Sequence, residues 1–244
     1  MRLRKAPRPS PAAMTLGEHL GELRRRVIIV LGAVLAAGIV AFVAYPQILH
    51  VLQTPYCEVT RRCQFYVTGP LDGLSLRVRV AGYSAIVLAS PVVLWQLWRF
   101  ITPGLEANEK RYAVPFVACS IALFGAGASV AFLVFPHALK FLGSVGGPSL
   151  HQIYSPNSYL GLVLALVTVF GVTFEFPVLL VSLELAGVLS PHTLAHWRRW
   201  ALVGIVILAA VITPSGDPVS MLGLAVPLYL FYETSIVIGR LIRR

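Results

Sequence analysis

Glu175 stands in the run Phe170-Gly171-Val172-Thr173-Phe174-Glu175-Phe176-Pro177, and the stretch from Phe141 to Phe174 contains no Asp, Glu, Lys or Arg. A carboxylate in hydrocarbon costs about 2.5–3.5 kcal/mol or more. Such a group either faces a cavity or a partner, or stays as a neutral carboxyl hydrogen-bonded to a neighbouring helix. A second acidic group, Glu22, lies in Glu18-His19-Leu20-Gly21-Glu22-Leu23-Arg24-Arg25-Arg26, directly before an apolar run. Glu22 and Arg26 are spaced i,i+4 and can pair on a helix. Glu106 and Glu109 sit beside Lys110 and Arg111 in a polar stretch further on. Two carboxylates from separate segments can grip a cationic ligand from two directions, and bidentate Arg–carboxylate pairing is the strongest such contact. The plainer reading of both segments is a solvated, basic helix end. Glu184 and Glu233 read as interfacial groups, with Glu233 within reach of a basic residue in the C-terminal tail. Cys57 and Cys63 are close enough in sequence for a small-loop disulfide or for two free thiols, and Cys119 reads as a buried, inert thiol. The histidines form no H-E-x-x-H, and the cysteine spacing suggests no metal site.

These groups need elements to hold them, and composition decides which kind. Of the 244 residues, 57% are hydrophobic and only 12% are charged, about half the usual charged share. The mean hydropathy is +0.78. One soluble core of this size does not hide so much apolar surface. Sparse charge excludes disorder, aperiodic glycine excludes collagen, and three cysteines exclude a disulfide scaffold. A polytopic all-α membrane protein remains, because apolar side chains can face lipid without a partner. The net charge of +10 would suggest nucleic acid in a soluble protein; here its distribution sets orientation instead.

A bilayer core about 30 Å thick takes roughly 20 helical residues. Charge-free stretches and their turn residues predict six spans, at about 25–45, 74–98, 112–135, 157–187, 198–213 and 218–238. Together they form one membrane domain over 18–244, after a disordered basic tail over 1–17. The last two charge-free stretches, 200–216 and 218–232, are short, about 25 and 22 Å at 1.5 Å per residue. Ser190-Pro191 reads as an N-cap followed by Pro at the first helical position. Six spans place both termini on one side. That side would hold fifteen of the twenty basic residues, the other five being Arg61, Arg62, Arg77, Arg79 and Lys140. The bias predicts N-in, C-in topology. Trp95, Trp98, Trp197 and Trp200 then fall where an aromatic belt belongs. Pro91, Pro115, Pro177 and Pro227 predict kinked helices and a curved, concave bundle. Intramembrane Glu175 also admits a proton-coupled secondary transporter, but the internal repeat common in such carriers is not evident.

Four segments resemble the TatC family, a subunit of the twin-arginine translocase. They are His19-Leu20-x-Glu22-Leu23-Arg24-x-Arg26; Ser90-Pro91 through Phe100-Ile101-x-Pro103-Gly104-Leu105 with Glu109-x-Arg111; Phe170-Gly171-x-x-Phe174-Glu175-x-Pro177; and Thr213-Pro214-x-x-Asp217-x-x-Ser220. They occur in order from about residue 15 to 240. The resemblance implies a receptor rather than an enzyme, with no cofactor, in the cytoplasmic membrane. It implies binding of signal peptides bearing paired arginines, TatA-like and TatB-like single-span partners, self-association, and export of folded proteins on the proton motive force. Carried over, Glu22 and Glu109 contact the paired arginines, Arg24 holds that site and Phe100 lines it. Glu175 becomes the polar group on a concave membrane face. Pro55, Asp217 and Ser220 shape the outer loops and partner contacts. Met221 stands where many relatives carry Gln.

Overall fold

The computed structural model describes residues 16–60, 65–66, 69–101, 113–145, 147, 154–185, 187–213 and 216–242. All the regular structure among them is helical. In chain order the helices are α1 (Leu16–Val43), α2 (Tyr45–Thr60), α3 (Asp72–Ile101), α4 (Ala113–Val145), α5 (Pro156–Thr173), α6 (Phe176–Leu185), α7 (Pro191–His196), α8 (Arg198–Ile212) and α9 (Pro218–Ile242). Residues 16 and 17, expected in the tail, already belong to the first turn of α1.

Among the described residues five segments are long and apolar enough to cross a membrane: Leu20–Val43, Asp72–Phe100, Val114–Val145, Pro156–Leu185 and Pro218–Leu241. Helix α8 has 15 residues and reaches only about 22 Å. Helix α9 is the longer of the last pair, with 25 residues. It runs past the charge-free stretch because Glu233 finds an ion-pair partner in Arg198, 2.8 Å away.

Turn chemistry sets the helix ends. Ser155 caps α5 by accepting from the Ser158 amide, with Pro156 following it. Ser190 caps α7 in the same way through Thr193, so Ser190-Pro191 opens a short helix of its own ahead of α8. The Asp217 carboxylate accepts from the Ser220 amide at 2.7 Å and caps α9. The break between α5 and α6 falls at Phe174 and Glu175. Pro177 has no N–H to offer the carbonyl of Thr173, four residues back, and α5 ends at Thr173. Elsewhere the helices run through their prolines: Pro55 in α2, Pro91 in α3, Pro136 in α4 and Pro227 in α9. Pro115, expected to kink its helix, sits in the first turn of α4, where a missing N–H costs nothing.

Helix α2 was not foreseen as an element. Its Leu52 and Tyr56 are one turn apart and buried, with Ile48 and Leu49 packed beside them. Arg77 of α3 fixes the α1–α2 corner, donating Nε and Nη2 to the Phe42 carbonyl at 3.2 and 2.9 Å and lying 4.3 Å over the Phe42 ring.

Helix α1 packs along α3, α4 along α5, and α9 against α4, α6 and α8. One core lies at the α2 end, where Val80, Phe135, Tyr159, Leu160 and Val163 meet. The other joins Leu166, Phe170 and Phe174 to Leu224, Leu228 and Ile236. Close approach of α4 and α5 depends on glycine: a Cβ on Gly127 would stand 2.6 Å from the Phe170 carbonyl, and one on Gly171 2.8 Å from the Phe124 ring. The outer surface is apolar, with Leu35 69%, Leu133 70% and Val211 78% exposed. In water such a surface would be a liability; against lipid tails it is the expected boundary.

Candidate functional site

Three places carry the polar chemistry. The first is at the chain-terminal end of α1 and α3. Glu22 and Arg26 form the i,i+4 ion pair foreseen from their spacing. Arg26 Nη1 also reaches across to α3, to the Gln96 carbonyl at 3.4 Å and Gln96 Oε1 at 3.5 Å. Arg25, Ile29 and Arg99 complete the walls of a pocket of about 160 Å³. It therefore presents three guanidinium groups and one carboxylate. The Glu22 carboxylate and the two Gln96 oxygens converge on one guanidinium, that of Arg26. Arg24 points to solvent and Phe100 is half-buried; neither lines the pocket. Glu109 lies outside the described residues. Sequence reasoning missed Gln96 and Arg99 as pocket residues; their i,i+3 spacing near the end of α3, opposite Glu22 and Arg26, is the signal that points to them.

The second place is midway along the membrane-spanning segments. Glu175 occupies the α5–α6 break, half-buried and beside Ser120 of α4, with its Oε1 buried and without a hydrogen-bond partner among the described residues. Trp98 Nε1 donates to Ser120 Oγ at 2.9 Å. Ser120 and Trp98 are buried, at 0% and 2% exposure. Trp98 therefore does not belong to a lipid-facing belt, whereas Trp95, Trp197 and Trp200 are exposed. Its ring stacks on Phe116 at 5.1 Å, and its indole N–H has an internal acceptor. A chain of side chains thus runs from α3, two residues from Gln96, through Ser120 to Glu175. Alongside, Phe116, Cys119, Pro177, Val181, Phe231 and Thr234 contribute to an apolar groove of about 380 Å³. Cys119, expected to be buried, is exposed on this groove.

The third is helix α9, along which further acids lie at both ends. Glu233 pairs with Arg198 of α8 and accepts from Tyr229 Oη at 3.2 Å. Glu184 is buried rather than interfacial, and its carboxylate lies against Gly239 of α9. Asp217 and Ser220 are both buried at the α8–α9 turn, and Pro55 is buried within α2. Met221 packs on the second core. Cys57 is disulfide-bonded; Cys63 lies outside the described residues. No cluster of three metal-ligating side chains occurs among the described residues.

Helices alone among the described residues, with five membrane-length segments, a charged pocket at one end and a carboxyl at a helix break, define a polytopic helical membrane protein. The family model described as Sec-independent protein translocase protein (TatC) matches residues 18–227. This chain belongs to the TatC family. It is 41% identical over 238 residues to the TatC protein of Frankia casuarinae, covering 93% of this chain and 65% of that one. It is 38% identical over 234 residues to the TatC of Aquifex aeolicus, covering 95% and 97%. A crystal structure of the twin arginine translocase receptor TatC superposes with a TM-score of 0.78 at 37% identity, covering 93% of this chain and all of that chain. The family is one of translocase subunits rather than of catalysts.

Proposed function

We propose that this chain is the receptor for twin-arginine signal peptides and the core subunit of a translocase that moves folded proteins across the cytoplasmic membrane on the proton motive force. The observation that carries the reading is the pocket of Glu22, Gln96 and Arg99 at the end of α1 and α3, in a chain of the TatC family. Its acceptors already hold a guanidinium, that of Arg26. A visiting arginine enters by exchange with Arg26, and the second arginine of the pair is met by Glu109. Arg24 and Phe100 border that surface.

In this reading both termini are cytoplasmic, as the basic residues argue, and α8 is a sixth, short span beside α9. Glu175 and the neighbouring groove receive the apolar part of the signal or a single-span TatA-like or TatB-like partner. Asp217, Ser220 and Pro55 set the shape of the outer loops that such partners meet.

The test is co-purification of the detergent-solubilised protein with a signal peptide carrying Arg-Arg against a Lys-Lys control. Selective recovery of the Arg-Arg peptide is expected; equal recovery of both overturns the receptor assignment. Lys keeps the charge but lacks the planar fork that pairs with a carboxylate through two hydrogen bonds.

A further inference from the structure

Arg79 lies on α3 about 10 Å along the helix from its start at Asp72, at the end of the bundle away from the described chain ends. It falls within a segment long and apolar enough to cross a membrane. The two ion pairs among the described residues are Glu22–Arg26 and Glu233–Arg198, and neither uses it. Its guanidinium is instead steadied by backbone: Nη1 donates to the Asn157 carbonyl at 3.1 Å. Gly161, one turn along α5 from Asn157, makes room for it, since a Cβ there would stand 2.9 Å from Nη1. Beside the guanidinium opens a groove of about 470 Å³ between α3 and α5, onto which Tyr83 and Leu162 also face. The other guanidinium N–H groups and the Tyr83 hydroxyl have no partner among the described residues. The groove is polar at Arg79, Tyr83 and Asn157, and apolar along Leu162.

A cation at this depth is costly unless an anion meets it. An arginine near a helix end reaches toward the interface, where its planar fork matches phosphate oxygens. Basic pockets between transmembrane helices hold lipid headgroups on the same grounds. A carboxylate from a partner helix is the rival occupant. It could accept from both Arg79 and Tyr83 but brings nothing to the apolar floor along Leu162; a phosphodiester meets the two donors and lays its acyl chain on that floor. We infer that the α3–α5 groove binds a phospholipid of the leaflet away from the chain ends. Arg79 clasps the phosphate, Tyr83 donates a further hydrogen bond, and an acyl chain lies along Leu162.

The experiment uses the full chain, delipidated in detergent, with phosphatidylglycerol carrying a photoactivatable acyl chain and mass-spectrometric mapping of the adduct. Labelling near Leu162 is expected, reduced at least tenfold in Arg79→Gln. Diacylglycerol with the same chain should label no better than that variant. Excess glycerol 3-phosphate should not compete, which separates a seated lipid from a simple phosphate site; full competition overturns the lipid assignment. Equal labelling of wild type and Arg79→Gln, or equal labelling by diacylglycerol, overturns the site. Tyr83→Phe keeps the ring and removes one donor, so it decides the matter if Arg79→Gln does not fold: a threefold loss supports the site and unchanged occupancy overturns it. Displacement of the lipid by an acidic single-span peptide, with a crosslink to Arg79, assigns the groove to a protein partner and also overturns it.

Discussion

Glu22 and Glu175 are both carboxylates in costly company, and their neighbours separate their roles. Glu22 is paired and its surroundings are hydrogen-bond acceptors for a guanidinium. Glu22→Gln keeps the shape and loses the charge. Truncating one partner of a close charge pair costs about 2–5 kcal/mol. Retention of an Arg-Arg signal peptide should therefore fall at least about 30-fold, read by peptide titration against the purified protein. Glu175 lies beside Ser120, which accepts from Trp98. Ser120→Ala leaves a buried indole N–H without an acceptor, at about 1–3 kcal/mol. Trp98→Phe removes that donor, so the double variant should lose less stability than the sum of the singles, measured by denaturant unfolding. Strict additivity would show that the two side chains act independently. Glu22, Arg26 and Glu175 were legible in the sequence because a charge beside or inside an apolar run is conspicuous. Ser120 was not, since a serine in such a run carries no mark until a neighbouring helix brings Glu175 to it. Trp98 was misread because an aromatic beside Arg99 fits an interface as well as a core.

At the scale of elements, charge-free stretches marked the long helices well, because only a helix satisfies its backbone in lipid. They were blind to α2, because most of it, up to Cys57, continues the charge-free run of α1 without a break. The last span, expected over 218–238, runs four residues further to Ile242, and Glu233 within it is neutralised by Arg198 from another helix. The α5–α6 break was legible through Pro177. Pro177 stands in the first turn of α6, where its missing N–H costs little, so Pro177→Ala, which returns an N–H facing the Thr173 carbonyl, should leave the protein about as stable to heat. It should nonetheless impair export of a folded passenger, because a continuous helix turns Glu175 away from Ser120. Undiminished export in the variant would show that the break has no part in function.

For the whole molecule, the mismatch lies in one helix rather than two. At about 22 Å, α8 is shorter than a bilayer core of about 30 Å. As the sixth span we propose, α8 would thin the surrounding lipid, and we expect that thinning to help a passenger cross. Adding four residues to α8 should lower export in cells lacking their own copy; an unchanged rate would count against local thinning. The seam between α5 and α6 has a different consequence, one of time rather than shape. Phe174 and Glu175 bond back over four and three residues, and Pro177 interrupts the ladder that follows. Hydrocarbon does not satisfy backbone groups left over at such a seam, and we expect water to reach them there. Deuterium should enter the amides of residues 174–176 well before those of Leu164 or Leu180, and this span would exchange from its middle as well as from its ends.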